Sequence, residues 1–312
     1  MTSLQQGLVI RTDAKVCHVE VGGQVVQAAP RGILFDGAQK NPVAVGDRVE
    51  VDLATQPASL ERVLPRTNTL SRIASSHDPR EQVLAANVDQ LFVIASVAKP
   101  SFSSNRTDRI LAACTWQRIP AIVVLNKVDL AEPSETQAIR ETYESIPIDV
   151  METCAIAGVG LDELRRRMEG KTSIFYGASG AGKSSLLNGL QPGLKIKVGK
   201  ISRFWDQGKH TTTFSLMHTL DFGARVIDTP GIRVFRPFGV PEQNLRDLFA
   251  EFTRFQARCH FASCSHDHEP DCAVFDAVES GAIAASRYAS YVEMLDEVRT
   301  ASTAAEDGDE EE

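Results

Sequence analysis

Residues Gly177-Ala178-Ser179-Gly180-Ala181-Gly182-Lys183-Ser184 form a glycine-rich run that ends in Lys-Ser. Glycines at these spacings let backbone amides close around phosphate oxygens, and Ser185 continues the row of amides into the next helix. Lys183 can neutralise terminal phosphate charge, and the Ser184 hydroxyl can ligate Mg²⁺. Asp228-Thr229-Pro230-Gly231 follows later in the chain. Asp228, at the end of an apolar run, can hold the same cation, and the Gly231 amide can approach a γ-phosphate because glycine admits unusual backbone angles. Asn126-Lys127-Val128-Asp129 precedes both. The Asp129 carboxylate can accept the N1–H and the 2-amino group of guanine together. Adenine lacks that pair of donors and would leave the acid unpaired. Asn126 is placed to tie this loop to the phosphate loop, and Lys127 to cover the base. Thr153-Cys154-Ala155 offers a backbone amide to guanine O6. The chemistry these residues support is binding of GTP or GDP with Mg²⁺, the cation held by Ser184, Asp228 and one threonine.

Such loops work only where strands end. Apolar runs at 90–95, 121–125, 172–176 and 224–227 read as buried strands, and helical patterns lie around 104–117, 134–145, 160–169 and 183–190. This alternation predicts a mostly parallel sheet covered on both faces, with each nucleotide loop just after a strand. The order of the loops is unusual. In Ras-like GTPases the base-reading loop follows the other two; here it comes first, so residues 66–237 read as a circularly permuted Ras-like P-loop GTPase domain. Between the phosphate and Mg²⁺ loops, Gly208-Lys209-His210-Thr211-Thr212-Thr213 fits a switch, with Thr212 chosen to close over Mg²⁺ and Thr211 as the alternative. Ile232 stands where Ras-like enzymes carry a glutamine that orients water. Catalysis must therefore borrow a group, and His210 is the nearest candidate; an ordinary loop histidine is the competing reading. Such an enzyme is expected to be slow alone, with a partner supplying acceleration that reaches roughly 10⁵-fold in Ras-type systems.

Flanking segments differ in character. Residues 1–65 hold short strands between Gly, Pro and Asp turns, predicting an OB-type β-barrel suited to RNA, with an SH3-like barrel as the competitor. Residues 238–302 read as helical, with one helix starting at Glu242 and another running from Asp276 to about residue 301. Between them lie Cys259, Cys264, His266 and Cys272. Three thiolates and one imidazole suit a closed tetrahedral structural Zn²⁺ site; His260 and His268 are rival fourth ligands. Cys17, Cys114 and Cys154 are scattered and read as buried thiols. The net charge of −8 reflects the end of the chain, because residues 306–312 supply six of the excess negative charges. Residues 303–312 are expected to be a disordered acidic tail. The remaining body is near neutral, so RNA contact would rest on local patches such as Lys195, Lys197, Lys200, Arg203 and Lys209, or Arg165 to Arg167. No apolar run reaches the ~20 residues of a membrane span, and the first residues lack a signal-peptide pattern, so a cytoplasmic protein with no membrane association is expected.

Loop order and zinc spacing together make the chain resemble the ribosome-small-subunit-dependent GTPase A family of bacteria over nearly its whole length. The residues that carry the resemblance are Asn126 to Asp129, Gly177 to Ser184, Gly208 to Thr213, Asp228 to Gly231, the Cys259, Cys264, His266 and Cys272 set, and the Leu64-Pro65-Arg66 and Leu70-Ser71-Arg72 junction. The resemblance implies a multidomain α/β fold of barrel, permuted GTPase and zinc-bearing helical domain. It also implies a monomer with a slow GTPase that acts late in 30S subunit assembly, is stimulated by that particle and contacts 16S rRNA through barrel and zinc domain. A hydrophobic residue at Ile232 is then a family trait, and His210 matches a histidine suggested to be catalytic. The competing function is an RNA-binding assembly factor in which hydrolysis is incidental.

Overall fold

The computed structural model describes residues 4–35, 37–75, 77–194, 215–228 and 235–309, with side chains through residue 300. Five strands form the N-terminal module: β1 (Gln5–Thr12), β2 (Cys17–Val21), β3 (Gln24–Pro30), β4 (Arg48–Asp52) and β5 (Ala58–Val63). They pair in the order β1-β2-β3-β5-β4, and β4 returns to β1. β3 and β5 run parallel while the other pairs are antiparallel. This closed five-stranded Greek-key barrel is of the OB type and sets the SH3-like alternative aside. Alternation explains the closure: in β4, Val49 and Val51 point inward, while Arg48, Glu50 and Asp52 do not. With Val9, Val19 and Leu60 they fill the barrel.

The barrel exit is held by charge. Arg66 donates from Nε to Asp47 Oδ1 at 2.7 Å and from Nη2 to Oδ2 at 2.8 Å, and Asp47 is fully buried. A two-stranded hairpin, β6 (Thr69–Ser75) with β7 (Asp78–Ala86), then leads into the central sheet. The sequence reading did not separate this hairpin from the α/β segment.

The central sheet is built from β8 (Gln90–Ser96), β9 (Ala121–Asn126), β10 (Asp149–Thr153), β11 (Thr172–Tyr176), β12 (Leu216–Thr219) and β13 (Arg225–Asp228). Their order is β10-β9-β8-β11-β13-β12, all parallel except the edge strand β12. The chain therefore enters at mid-sheet and completes one half before the other, as a permuted chain must. Helices α1 (Ser104–Trp116) and α2 (Pro133–Glu144) cover one face through Ile110, Leu111 and Tyr143. Helices α3 (Leu161–Met168) and α4 (Lys183–Leu190) cover the other through Leu164, Met168, Leu186 and Leu187. Single-bridge pairing of Arg11 with Leu216 joins β1 of the barrel to β12.

The C-terminal module departs from its sequence reading in three places. No continuous helix follows Glu242; short turns Glu242–Leu245, Arg246–Leu248, Ala250–Phe252 and Thr253–Gln256 replace it. Extended backbone at Phe249 interrupts the spiral, allowing Phe249 and Phe252 to stack at 5.3 Å and Glu251 to turn inward. The second helix is divided into Ala273–Glu279 and Ala285–Asp309 by Gly281, whose φ of +76° ends a helix as glycine commonly does. The long helix then continues through Asp309, past the start of the tail expected to be disordered. Alanines at 301, 304 and 305 favour that backbone. Among the described residues no helix is long and apolar enough to cross a membrane.

Candidate functional site

Three loops converge at the carboxyl ends of β9, β10 and β11. Asn126 closes β9 and is 1% exposed, and its Nδ2 donates to Ala181 O of the phosphate loop at 2.8 Å. Its Oδ1 accepts from Thr153 Oγ1, at the end of β10, at 3.0 Å. One buried amide thus joins loops that are far apart in the chain. Lys127 adopts left-handed backbone, with φ of 64°, which swings its side chain over the phosphate loop. Its amine donates to Gly180 O at 2.6 Å and also to Lys99 O, an acceptor that the sequence did not single out.

The phosphate loop fits with no room to spare. A Cβ on Gly177 would stand 2.2 Å from Ile94 O, and one on Gly182 would stand 2.1 Å from Asn126 Nδ2, at a φ of +104°. Gly177, Ala178, Ser179, Gly180, Ala181 and Gly182 therefore run tightly from β11 into α4, whose first residues are Lys183, Ser184 and Ser185. Amides at a helix start have no partner within the helix and make an anion-binding end. The Lys183 amine donates to Gly177 O at 2.8 Å and Ala178 O at 3.2 Å, folded back across the loop. Burial lowers its pKa, against a raising influence from Asp228.

Asp228 ends β13 beside the phosphate loop, and its Oδ1 is buried with no hydrogen-bond partner among the described residues. Burial raises its pKa, with Lys183 pulling the other way. A buried carboxylate oxygen without a partner among the described residues, next to a buried amine and the Ser184 helix start, is what a divalent cation and its phosphate would satisfy. The donor set therefore fits Mg²⁺. His210, Thr211, Thr212, Gly231 and Ile232, and the lysine patch between residues 195 and 209, lie outside the described residues.

In the base loop, the Cys154 amide donates to Val159 O and Val159 returns the bond to Cys154 O, each at 3.1 Å. This pair pins the turn carrying Ala155. The Cys154 thiol, 2% exposed, donates to Asp129 Oδ1 at 3.0 Å, a contact the sequence reading did not anticipate.

Away from the sheet, Cys259, Cys264, His266 and Cys272 bring their ligand atoms within 4.8 Å of one another. His266 Nδ1 is 3.6 Å from Cys259 Sγ and 3.5 Å from Cys272 Sγ. Zinc bonds of about 2.3 Å to sulfur and 2.0 Å to nitrogen set tetrahedral S···N edges of about 3.5 Å, so the cluster has zinc dimensions. The rival histidines are turned elsewhere: His260 packs on Phe261, and exposed His268 pairs with Asp267. Glu269 accepts from the Ser265 and Asp267 amides on either side of His266. Tyr288 of the long helix donates to His266 O at 2.8 Å. That helix also carries Arg287, which reaches both Asp108 of α1 and Glu251.

Comparison with known proteins agrees with this geometry. The RsgA GTPase family matches residues 63–237. The small ribosomal subunit biogenesis GTPase RsgA 2 of Bacteroides thetaiotaomicron is 38% identical over 299 residues, spanning 94% of this chain and 96% of that protein. The small ribosomal subunit biogenesis GTPase RsgA of Chlorobaculum tepidum is 38% identical over 309 residues, spanning 95% and 99%. Among solved structures, YjeQ from Thermotoga maritima aligns with a TM-score of 0.72 at 32% identity, covering 95% of this chain and 99% of its own. YloQ, described as a circularly permuted GTPase, aligns at 0.67 with 29% identity and 96% coverage of each. Loop order, strand order and similarity across almost the full length lead to one conclusion: the chain belongs to the RsgA GTPase family and is a circularly permuted GTP hydrolase.

Proposed function

We propose that this GTPase works on the small ribosomal subunit, as the names of its relatives say of them, and couples GTP hydrolysis to a late step of 30S assembly. The observation that carries the nucleotide reading is the buried Asn126 bridge, which joins a guanine-selecting loop to the phosphate loop at 2.8 Å. Asp129 accepts guanine N1–H and the 2-amino group. The Ala155 amide meets O6, since the Cys154 amide is engaged with Val159. Lys183 and the amides from Ser179 to Ser185 bind the phosphates. Ser184 and Asp228, with Thr212 or Thr211, hold Mg²⁺, which spreads phosphate charge when bound. His210 positions or activates the attacking water that Ile232 cannot orient. Cys259, Cys264, His266 and Cys272 hold one structural Zn²⁺, which fixes the turn against the long helix. The barrel and zinc module contact 16S rRNA, and the protein acts as a cytoplasmic monomer.

Steady-state GTP and ATP hydrolysis, measured with and without purified 30S subunits, tests this reading. Stimulation by 30S restricted to GTP is expected. Equal turnover of ATP would remove the role given to Asp129, and absence of stimulation would remove the small-subunit role. His210→Ala should bind GTP normally yet stay on the subunit; normal release of that variant would strip His210 of its part.

A further inference from the structure

Within the GTPase sheet β12 is a four-residue edge strand, and the strand that lies beyond it belongs to the barrel. Arg11 of β1 pairs with Leu216, and Leu216 pairs on its other side with Asp228. One register line, about 10 Å long at ordinary strand spacing, therefore runs from the barrel to the carboxylate beside the phosphate loop. β1 serves two cores at once. Val9 points into the barrel, whereas Leu8 and Ile10 pack against the GTPase cluster that contains Met217 and Ile227. Glu20, opposite Leu8 in the barrel, accepts from Arg225 Nη2 at 3.2 Å, and Arg225 opens the strand that ends in Asp228.

We infer that β1 of the barrel positions Asp228, with the Glu20–Arg225 pair keeping the seam in register, so that the barrel governs how well the site holds Mg²⁺. This rests on the Mg²⁺ role proposed above for Asp228. Leu216 is the first residue of β12, and the ends of short strands open most readily. β13 has only four residues and gains little rigidity of its own. β1 supplies the outer partner at that spot, and its withdrawal leaves Leu216 paired on one side only. Asp228 Oδ1 has no hydrogen-bond partner among the described residues, so its position follows the backbone on which it stands. A carboxylate held in place before Mg²⁺ arrives loses less freedom on binding. By linkage, whatever keeps β1 on β12 favours Mg²⁺, and Mg²⁺ favours the closed seam by the same factor.

The test titrates Mg²⁺ into full-length protein with the fluorescent analogue N-methylanthraniloyl-GppNHp and compares binding with that in EDTA. Glu20→Arg and Arg225→Glu each set like charges against one another at the seam, on side chains exposed enough to spare the cores. Each should raise the Mg²⁺ concentration for half-saturation about fivefold, the low end of ordinary coupling between sites, while nucleotide affinity in EDTA holds. The exchanged pair, Glu20→Arg with Arg225→Glu, should return it to the wild-type value. Ile10→Ala, which loosens the seam by packing instead of charge, should shift it in the same direction. In an Asp228→Ala background none of these changes should have a further effect. Half-saturation equal to wild type in both charge variants overturns the inference, even if the melting temperature falls. So does a shift that the exchanged pair retains, or an equal loss of affinity in EDTA. Asp228→Ala with unaltered Mg²⁺ dependence would instead overturn the metal role of Asp228 itself.

Discussion

Asn126→Ala isolates the bridge on which the permuted site depends. The native amide makes two buried hydrogen bonds, to Ala181 O at 2.8 Å and from Thr153 Oγ1 at 3.0 Å. Alanine leaves Ala181 O and Thr153 Oγ1 without those partners where water has little access, since Thr153 is fully buried and Ala181 is 1% exposed. Each orphaned group costs about 1–3 kcal/mol, and because the two share one network the combined loss should be about 2–4 kcal/mol. For a domain of this size, each kcal/mol moves the melting temperature by about 2–4 °C. The midpoint followed by circular dichroism should thus fall by roughly 5–15 °C. Thr153→Val, which removes only one of the two bonds, should fall by roughly half as much. GDP affinity should also drop by about tenfold or more, since the base loop is no longer fixed to the phosphate loop. A midpoint within about 2 °C of wild type, with GDP affinity unchanged, would refute the claim that one amide holds the two loops together.

Gly182→Ala should fold and yet lose GDP binding in a titration, because its Cβ would meet Asn126 Nδ2 at 2.1 Å and its φ of +104° suits only glycine well. Atomic spectroscopy should find one zinc per chain, and chelation or Cys272→Ser should expose the segment around residues 253–283 to proteolysis while the GTPase sheet survives. Burial pushes the Cys264 thiol up to about 12, so metal uptake must release protons and weaken as pH falls. Arg287→Met should cost about 3–5 kcal/mol in urea denaturation, because Arg287 is 3% exposed and bonds Asp108 Oδ1 at 2.8 Å and Glu251 Oε1 at 2.7 Å. The sign of its pH dependence follows from Asp108, whose pKa is raised by burial and pulled down by Arg287. A raised folded value means stability falls as pH rises from the ordinary carboxylate range through that value. Without the guanidinium the value rises further, so the deficit of the variant should be larger at pH ~7.5 than at pH ~5. A deficit that grows on acidification would reverse this account.

Much of the nucleotide site was legible because its chemistry is local. A phosphate loop needs consecutive amides and small residues, so Gly177 to Ser184 announces itself without a neighbour. The strands and helices from residue 90 to residue 190 were legible for a related reason: apolar runs and 3.6-residue periodicity are properties of the chain itself. The cluster of Cys259, Cys264, His266 and Cys272 was nearly so, because three cysteines in a short span leave few choices for a metal-sized group. Only the fourth member of the cluster was ambiguous, and His266 is distinguished by left-handed backbone at φ of 61° and an Nδ1 that faces the Cys272 sulfur. No local pattern carries that angle.

What the sequence determined by itself was the set of reactive groups, the order of the loops and the covered parallel sheet, all of which follow from residue type and spacing. Tertiary structure decided which distant groups meet. The Asn126 amide finds Ala181, the Cys154 thiol finds Asp129, and Arg287 joins Asp108 to Glu251, in each case across a gap in the chain that no periodicity spans. It also decided the break at Phe249, where burial of two stacked rings and inward turning of Glu251 outweigh the helical tendency of the segment. The reason is common to all of these. Local propensity is worth tenths of a kcal/mol per residue, whereas leaving a buried polar group unpaired or a core ring exposed costs one or more, so long-range partners settle every place where the two disagree.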